Sequence, residues 1–225
     1  MLNKFKIAFA LAFTITVAGC GSKTASTDTT SADTTKTASA ASTKSILVFG
    51  DSLSAGYGLD DPSESYPSVL QTKIDSAKLP YTIINGGLSG EPSAGGKGRI
   101  DWLLKQHIDV FVLELGANDG LRGIPVKETE QNLQDIIDRV KAKYPKAKLV
   151  MLGMQVPPNM GVDYATDFKE IFPRLATKNN MTLVPFLLQG VGGVRSLNQK
   201  DGIHPTAAGA KILANNVWEV MKGVL

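Results

Sequence analysis

The sequence predicts an α/β domain built on a mainly parallel, five-stranded sheet with helices on both faces. Short apolar segments of strand length alternate with longer segments in which apolar residues recur at helical spacing. Strands separated by amphipathic helices form βαβ crossovers, which make neighbouring strands parallel and cover the sheet. The 225 residues, 43% of them apolar, are enough for one domain of ordinary size with a single hydrophobic core.

Five strands and five helices are predicted in alternation. The strands are short apolar runs at residues 45–50, 81–85, 109–115, 148–153 and 181–186, the last weakened by a proline. The helices are predicted at 66–78, 98–106, 126–144, 167–178 and 206–221. Methionines 151, 154 and 160 and the two tryptophans, Trp102 and Trp218, are expected to be packing residues.

The first 19 residues have the order of a secretory signal peptide: Lys4 and Lys6, an apolar run, then small residues. The end of this segment, Val-Ala-Gly-Cys20, resembles the lipobox of bacterial lipoproteins. That resemblance implies that Cys20 becomes lipidated, so that a lipid membrane is a partner and the protein is anchored outside the cytoplasm in the cell envelope, at the periplasmic or outer-membrane face in a Gram-negative host. The alternative is an incidental thiol in an uncleaved amphipathic segment.

Residues 20–44 are predicted to form a linker, because they contain almost no large apolar side chain that could offset the entropy cost of ordering. The catalytic domain is therefore expected at 45–225. The five lysines and two aspartates of the first 44 residues account for the whole net charge of +3. The domain itself is neutral, so we expect no nucleic-acid partner, and we expect a monomer.

A serine follows the first strand in the segment Gly-Asp-Ser52-Leu-Ser-Ala-Gly-Tyr. The turn from strand to helix would present its hydroxyl and its backbone N–H at the carboxyl edge of the sheet, where a nucleophile is expected. Taken alone, the segment is more typical of a structural turn in which Asp51 and Ser52 cap the following backbone.

An acid and a base follow near the end of the chain, in Asp201-Gly-Ile-His204-Pro. A single local turn lets Asp201 hold one ring nitrogen of His204 while the other acts as a base. The other histidine, His107, is expected to be a cap or a surface residue. One cysteine and two histidines also exclude an intramolecular disulfide and metal sites built from several such ligands.

Two further loops offer hydrogen-bond donors. The loop after the second strand contains Gly90, whose N–H can approach a ligand closely, and the loop after the third contains Asn118, with a side-chain amide. With the N–H of Ser52, these groups could stabilise a carbonyl oxygen as it becomes negative. A phosphate-binding P-loop and the Gly-x-Ser-x-Gly nucleophile elbow are both excluded by spacing.

Four blocks, GDSLSAGY, the glycine block ending at Gly90, GAND and DGIHP, resemble in residue and in order the GDSL or SGNH hydrolase superfamily. The likeness is closest to the bacterial thioesterase I, lysophospholipase and arylesterase branch, through ELGANDGLRG and QVPPNMG. Membership implies a flavodoxin-like three-layer α/β/α sandwich and ester hydrolysis without a metal or cofactor.

The resemblance also assigns roles. It implies Ser52 as nucleophile, His204 as base and Asp201 as its orienting carboxylate, with Ser52, Gly90 and Asn118 as the oxyanion hole. Residues 119–125 resemble a substrate-responsive loop, so substrate-binding residues are expected among Asp119, Gly120, Leu121 and, further along, Pro157. The chain departs from the branch at Glu91-Pro92 and at Lys97, which puts acyl specificity in question more than the reaction.

The expected function is a serine esterase that cleaves small-molecule esters, thioesters or lysophospholipids through an acyl-enzyme. Two alternatives remain from the residues. One is an O-deacetylase of carbohydrate or cell-wall glycan that uses the same triad. The other is an anchored binding module without activity, which would require one of the four blocks to be broken.

Overall fold

The computed structural model describes residues 43–225, so the predicted signal peptide, Cys20 and nearly all of the predicted linker lie outside the described residues. Its sheet has five parallel strands in the order β2-β1-β3-β4-β5. These are β1 (Lys44–Gly50), β2 (Tyr81–Asn85), β3 (Val110–Glu114), β4 (Lys148–Leu152) and β5 (Thr182–Val184). The predicted parallel five-stranded sheet is confirmed, with β1 starting one residue before the expected domain boundary.

Seven α-helices lie between and after the strands in residues 43–225. They are α1 (Ser52–Ala55), α2 (Tyr66–Ser76), α3 (Ser93–Leu103), α4 (Ala117–Leu121), α5 (Val126–Lys143), α6 (Val162–Asn179) and α7 (Ala207–Met221). Helix α2 packs against α7, whereas α5 packs against both α3 and α6. Right-handed crossovers place these two groups on opposite faces of the sheet, which gives the three-layer α/β/α sandwich. None of the helices in this range is long and apolar enough to cross a membrane.

The sheet positions the site through a reversal of strand order. The chain leaves β1 towards β2 on one side, and β3 lies on the other side of β1. In open parallel sheets such a switch point opens a crevice at the carboxyl ends of the two central strands. The segments that follow β1, β2 and β3 carry Ser52, Gly90 and Asn118, so all three converge on this edge.

Several elements differ from the sequence prediction. Helix α3 begins five residues earlier than expected, in a segment rich in glycine, and α6 also begins five residues earlier and continues through Pro173. Strand β5 has only three residues and ends before Pro185, which has no N–H to donate to a ladder.

The residues expected to pack in the core differ in how far they are buried. The side chains of Met151 and Met154 are buried in the core, and Trp218 packs partly buried against it, whereas Met160 is only partly buried. The expectation for Trp102 is wrong, because 67% of this residue is exposed on α3.

Candidate active site

Ser52 is the first residue of α1, immediately after β1. The carboxylate of Asp51 caps this one-turn helix by accepting a hydrogen bond from the N–H of Leu53 at 3.0 Å. Gly56 ends the helix in the left-handed region, with φ 73°, where a side chain would be strained. The tight turn leaves Ser52 9% exposed at the edge of the sheet.

The structure brings the other two predicted triad members to this serine. Nε2 of His204 lies 2.9 Å from Oγ of Ser52, and Nδ1 of His204 lies 2.7 Å from Oδ2 of Asp201. Because an ionised carboxylate only accepts hydrogen bonds, Asp201 favours the tautomer with the proton on Nδ1 and a free lone pair on Nε2. Bonding to His204 and to backbone N–H groups lowers the pKa of Asp201 to about 2, so this carboxylate is ionised at neutral pH.

Gln199 ties the base to the nucleophile segment. Its Nε2 donates to the backbone oxygens of Tyr57 at 2.7 Å and Pro205 at 2.9 Å, and its own N–H donates to the oxygen of His204 at 2.7 Å. The ring of Tyr57 packs 4.7 Å from the imidazole of His204. Sequence reasoning missed Gln199, since nothing in a glutamine two residues before Asp201 indicates a contact 142 residues away.

Asn118 and Gly90 lie on the same side of the site. Asn118 follows β3 on α4, and its Nδ2 donates to Oδ2 of Asp51 at 3.0 Å, which places the amide beside the nucleophile turn. Gly90 has φ 78°, and a Cβ built on it would meet nothing within 4 Å, so this backbone faces open space. Its N–H finds no acceptor in the part of the chain that the structure describes. The roles of these donors in an oxyanion hole stay a prediction.

A pair of buried acids lies beneath the nucleophile. Oε2 of Glu114 accepts from the N–H of Asp51 at 3.1 Å and from the hydroxyl of Ser54 at 2.7 Å, and Ser54 in turn bonds Tyr66 at 2.7 Å. Within the described residues, Oε1 of Glu114 is buried without a partner. Burial raises the pKa of Asp51 to about 6, and burial and then the neighbouring charge of Asp51 raise the pKa of Glu114 well above its usual value.

The raised pKa of Asp51 gives the protein a pH-dependent stability. Because the folded protein binds this proton more tightly than the unfolded chain, the free energy of unfolding should fall as the pH rises from about 4 to 6. The expected fall is about 3 kcal/mol. Asp51→Asn removes this group and leaves Glu114, so the urea stability of wild type relative to the variant should fall as the pH rises across that range. A constant difference would contradict the burial argument.

Two of the expected substrate-binding residues, Asp119 and Gly120, are buried, and a substrate contact for them stays a prediction. Asp119 is 1% exposed, and its carboxylate accepts from the N–H of Ser93 at 2.7 Å and from the Ser93 hydroxyl at 2.5 Å. Gly120 is buried, and a Cβ on it would lie 2.4 Å from the side chain of Val156. Both residues face the interior because α4 turns that side of the loop inward.

The other two expected substrate-binding residues are accessible. Leu121 is 40% exposed on the last turn of α4, three residues after Asn118. Pro157 is exposed in the segment after β4. For both, a contact with substrate stays a prediction.

At Glu91 and Lys97, where the chain differs from the family branch it resembles, the side chains make structural contacts. Glu91 is buried, and its carboxylate receives Nε of Arg99 at 2.7 and 2.8 Å, while Nη2 of Arg99 donates to the oxygen of Gly86 at 2.7 Å. The Glu91–Arg99 pair therefore anchors the loop that carries Gly90. Lys97 pairs with Asp135 of α5 at 2.6 Å. Neither Glu91 nor Lys97 points to an acyl-binding role.

A hydroxyl, an imidazole and a carboxylate in hydrogen-bonded series, beside backbone and amide donors at a switch point, define the class of serine hydrolases. In residues 43–225, no three His, Cys, Asp or Glu side chains converge as metal ligands. Residues 48–212 match the model of the GDSL-like lipase/acylhydrolase family. The chain belongs to this family.

Similar proteins and a similar solved structure agree with this family assignment. Esterase TesA of Pseudomonas aeruginosa is 40% identical over 82% of this chain and 91% of its own length. The thioesterase 1/protease 1/lysophospholipase L1 of Escherichia coli K12 is 38% identical over 78% of this chain and 82% of its own. The crystal structure of the psychrotrophic esterase EstA of Pseudoalteromonas sp., inhibited by monoethylphosphonate, matches with a TM-score of 0.75 and 34% identity over 80% of this chain and 98% of that one.

Proposed function

We propose that this protein is a serine esterase that hydrolyses carboxylic esters and thioesters through an acyl-enzyme. The observation that carries the proposal is the continuous series from Ser52 Oγ through His204 to Asp201, at 2.9 and 2.7 Å. Nε2 of His204 takes the proton of Ser52 as its oxygen attacks the carbonyl carbon, and then delivers that proton to the leaving group. Water, activated by the same nitrogen, releases the acid and restores the serine.

Stabilisation of the tetrahedral intermediate is assigned to the N–H groups of Ser52 and Gly90 and the amide of Asn118. Each donor of this kind contributes about 3 to 4 kcal/mol when it is preorganised in a site that excludes water. Asp51 holds the Asn118 amide in place before substrate arrives. Inhibition of the related esterase EstA by a phosphonate supports a reactive serine, since phosphonates combine with serine nucleophiles.

The substrate class follows from apolar side chains beside the triad and the oxyanion donors. Four large exposed apolar residues lie within five positions of these groups in the chain: Tyr57, Leu88, Leu121 and Ile203. Exposed apolar side chains at these positions favour the acyl chain or aryl group of a small ester over a hydrated glycan. The names of the relatives, which include esterase, thioesterase and lysophospholipase, support the same choice.

A substrate series tests this proposal. Purified protein should hydrolyse p-nitrophenyl esters of increasing chain length, an acyl-CoA and a lysophospholipid with far higher kcat/KM than acetylated xylan. Leu88→Ser and Leu121→Ser should lower kcat/KM for the longer acyl chains most. Trp102→Ser removes a still more exposed apolar side chain, from α3, and serves as the control. A preference for acetylated glycan would replace the proposal with the deacetylase function.

The cellular location is part of the proposal. The lipobox-like end of the signal segment supports acylation of Cys20, and the small polar residues that follow would let the enzyme stand away from a membrane while remaining near it. Cell fractionation should find the protein with membranes. Recovery of the full-length chain, thiol unmodified, in the soluble fraction would exclude the anchor.

A further inference from the structure

Arg122 connects the two loops that supply oxyanion donors. It follows α4, and its exposed side chain folds back so that Nη2 lies 2.8 Å from the backbone oxygen of Gly90 and 3.5 Å from Oδ1 of Asn118. Gly90 comes after β2 and Asn118 after β3. One guanidinium nitrogen therefore contacts both residues, through their acceptor atoms and not through the donors that would face substrate.

The side chain of Asn118 is held at both ends by groups of opposite hydrogen-bonding character. Asp51 accepts from Nδ2 of Asn118, and Arg122 donates towards Oδ1. A carboxylate only accepts and a guanidinium only donates, so a rotation of the amide by 180° would set like groups against each other at both ends. This pairing fixes the orientation of the amide and leaves one N–H of Asn118 for a substrate oxygen.

The peptide after Gly90 is held in the same way. The N–H of Glu91 donates to the oxygen of Leu88 at 3.2 Å, which closes a turn with Gly90 at its third position. The positive φ of Gly90 is typical of a type II turn at that position. Arg122 takes the oxygen of this peptide, so both of its polar ends are bonded and the carbonyl side of Gly90 keeps one orientation. The N–H of Gly90 lies in the preceding peptide, so Arg122 restrains this donor through the backbone of Gly90 and not by a direct bond.

We propose that Arg122 is a positioning residue that preorganises the oxyanion hole by holding Gly90 and Asn118 in register with each other. The inference rests on the proposed esterase function. An oxyanion hole accelerates the reaction because its donors are already oriented when charge develops, so loosening them should slow the chemical step and leave substrate binding nearly unchanged.

The test compares Arg122→Met and Arg122→Lys with wild type in turnover of p-nitrophenyl butyrate. Arg122→Met should lower kcat roughly 10- to 100-fold with a small change in KM, since part of the 10²- to 10³-fold contribution of a donor depends on its orientation. Arg122→Lys, which has a single ammonium group in place of the planar guanidinium, should have a kcat between those of wild type and Arg122→Met. Added guanidinium ion should restore part of the activity of Arg122→Met.

Two comparisons separate positioning from a general structural effect. Arg139→Met removes a partly exposed arginine that bonds the oxygen of Lys97 and the carboxylate of Asp101 in a similar way, and it should leave kcat unchanged. In an Asn118→Ala background, Arg122→Met should lower kcat by a much smaller factor than it does in wild type, because the arginine acts partly through Asn118. Thermal unfolding of Arg122→Met should match wild type.

Specific outcomes overturn the inference. An unchanged kcat in Arg122→Met, or a change confined to KM, would do so while wild-type turnover still upheld the esterase function. A wild-type protein without esterase activity would refute the proposed function instead. In that case a crystal structure of Arg122→Met still decides the positioning role: unmoved Gly90 and Asn118 would contradict it, and their displacement would support it.

Discussion

Ser52→Ala is expected to abolish ester hydrolysis, with a loss of about a million-fold in kcat if the triad acts as a unit. The reason is geometric: Oγ of Ser52 is the atom that Nε2 of His204 contacts at 2.9 Å, so its removal leaves the base without a nucleophile to activate. The measurement is steady-state turnover of a p-nitrophenyl ester by purified protein, together with mass spectrometry after treatment with a fluorophosphonate. Wild type should gain one adduct, and the variant none.

The neighbouring serine provides the matched control. Ser54 is fully buried, and its hydroxyl bonds Glu114 and Tyr66 and not the imidazole. Ser54→Ala should therefore lose stability, by about 1–3 kcal/mol for a buried hydrogen-bonding group that loses its partner, while the fluorophosphonate still modifies Ser52. Substantial turnover in pure Ser52→Ala protein would show that a different group attacks the ester.

The sheet was predictable because parallel strands that are buried on both faces have nearly continuous apolar sequences. All five residues of β3 are buried, and its predicted bounds differ from the observed ones by one residue at each end. The start of α3 was not predictable in this way, because Gly95, Gly96 and Gly98 lower helix propensity. One of these glycines is required by packing: a Cβ on Gly96 would lie 2.4 Å from the side chain of Leu115.

The one-turn helices α1 and α4 are too short to show a period, and they decide which side chains face the site. Asp119 and Gly120 follow Asn118 directly, yet they point into the interior where Ser93 and Val156 receive them. A motif gives the order of residues and not their rotation about a helix axis. For that reason the motifs predicted residues that the fold brings together as a triad, but they did not predict that Asp119 and Gly120 are buried.

The roles of the residues that support the site could not be predicted from the sequence. Arg122 reaches Gly90 across 32 positions, Glu114 reaches Asp51 across 63, and Gln199 reaches Tyr57 across 142. Each of them contacts backbone or a motif residue whose own position depends on the finished fold. Their identity as arginine, glutamate and glutamine becomes informative only when the acceptors and donors around them are known.

Asp201→Asn should lower kcat by about 10⁴-fold without a comparable change in KM. An amide at this position can donate towards Nδ1 of His204, and the imidazole would then carry its proton on Nε2. That nitrogen, 2.9 Å from Ser52, could no longer accept the serine proton. The pair of exposed His107 and partly buried Asp109, 3.2 Å apart, provides the control, because Asp109→Asn alters the same kind of contact far from any nucleophile and should leave kcat unchanged.

The effect of the wrong tautomer should be visible at every pH at which the enzyme can be assayed. With a pKa near 2, Asp201 stays ionised throughout the range in which the enzyme can be assayed, so its own titration does not shape the wild-type profile. A wrong tautomer persists in the neutral imidazole, so the deficit should remain across the alkaline plateau, and recovery there would contradict the assigned role of Asp201.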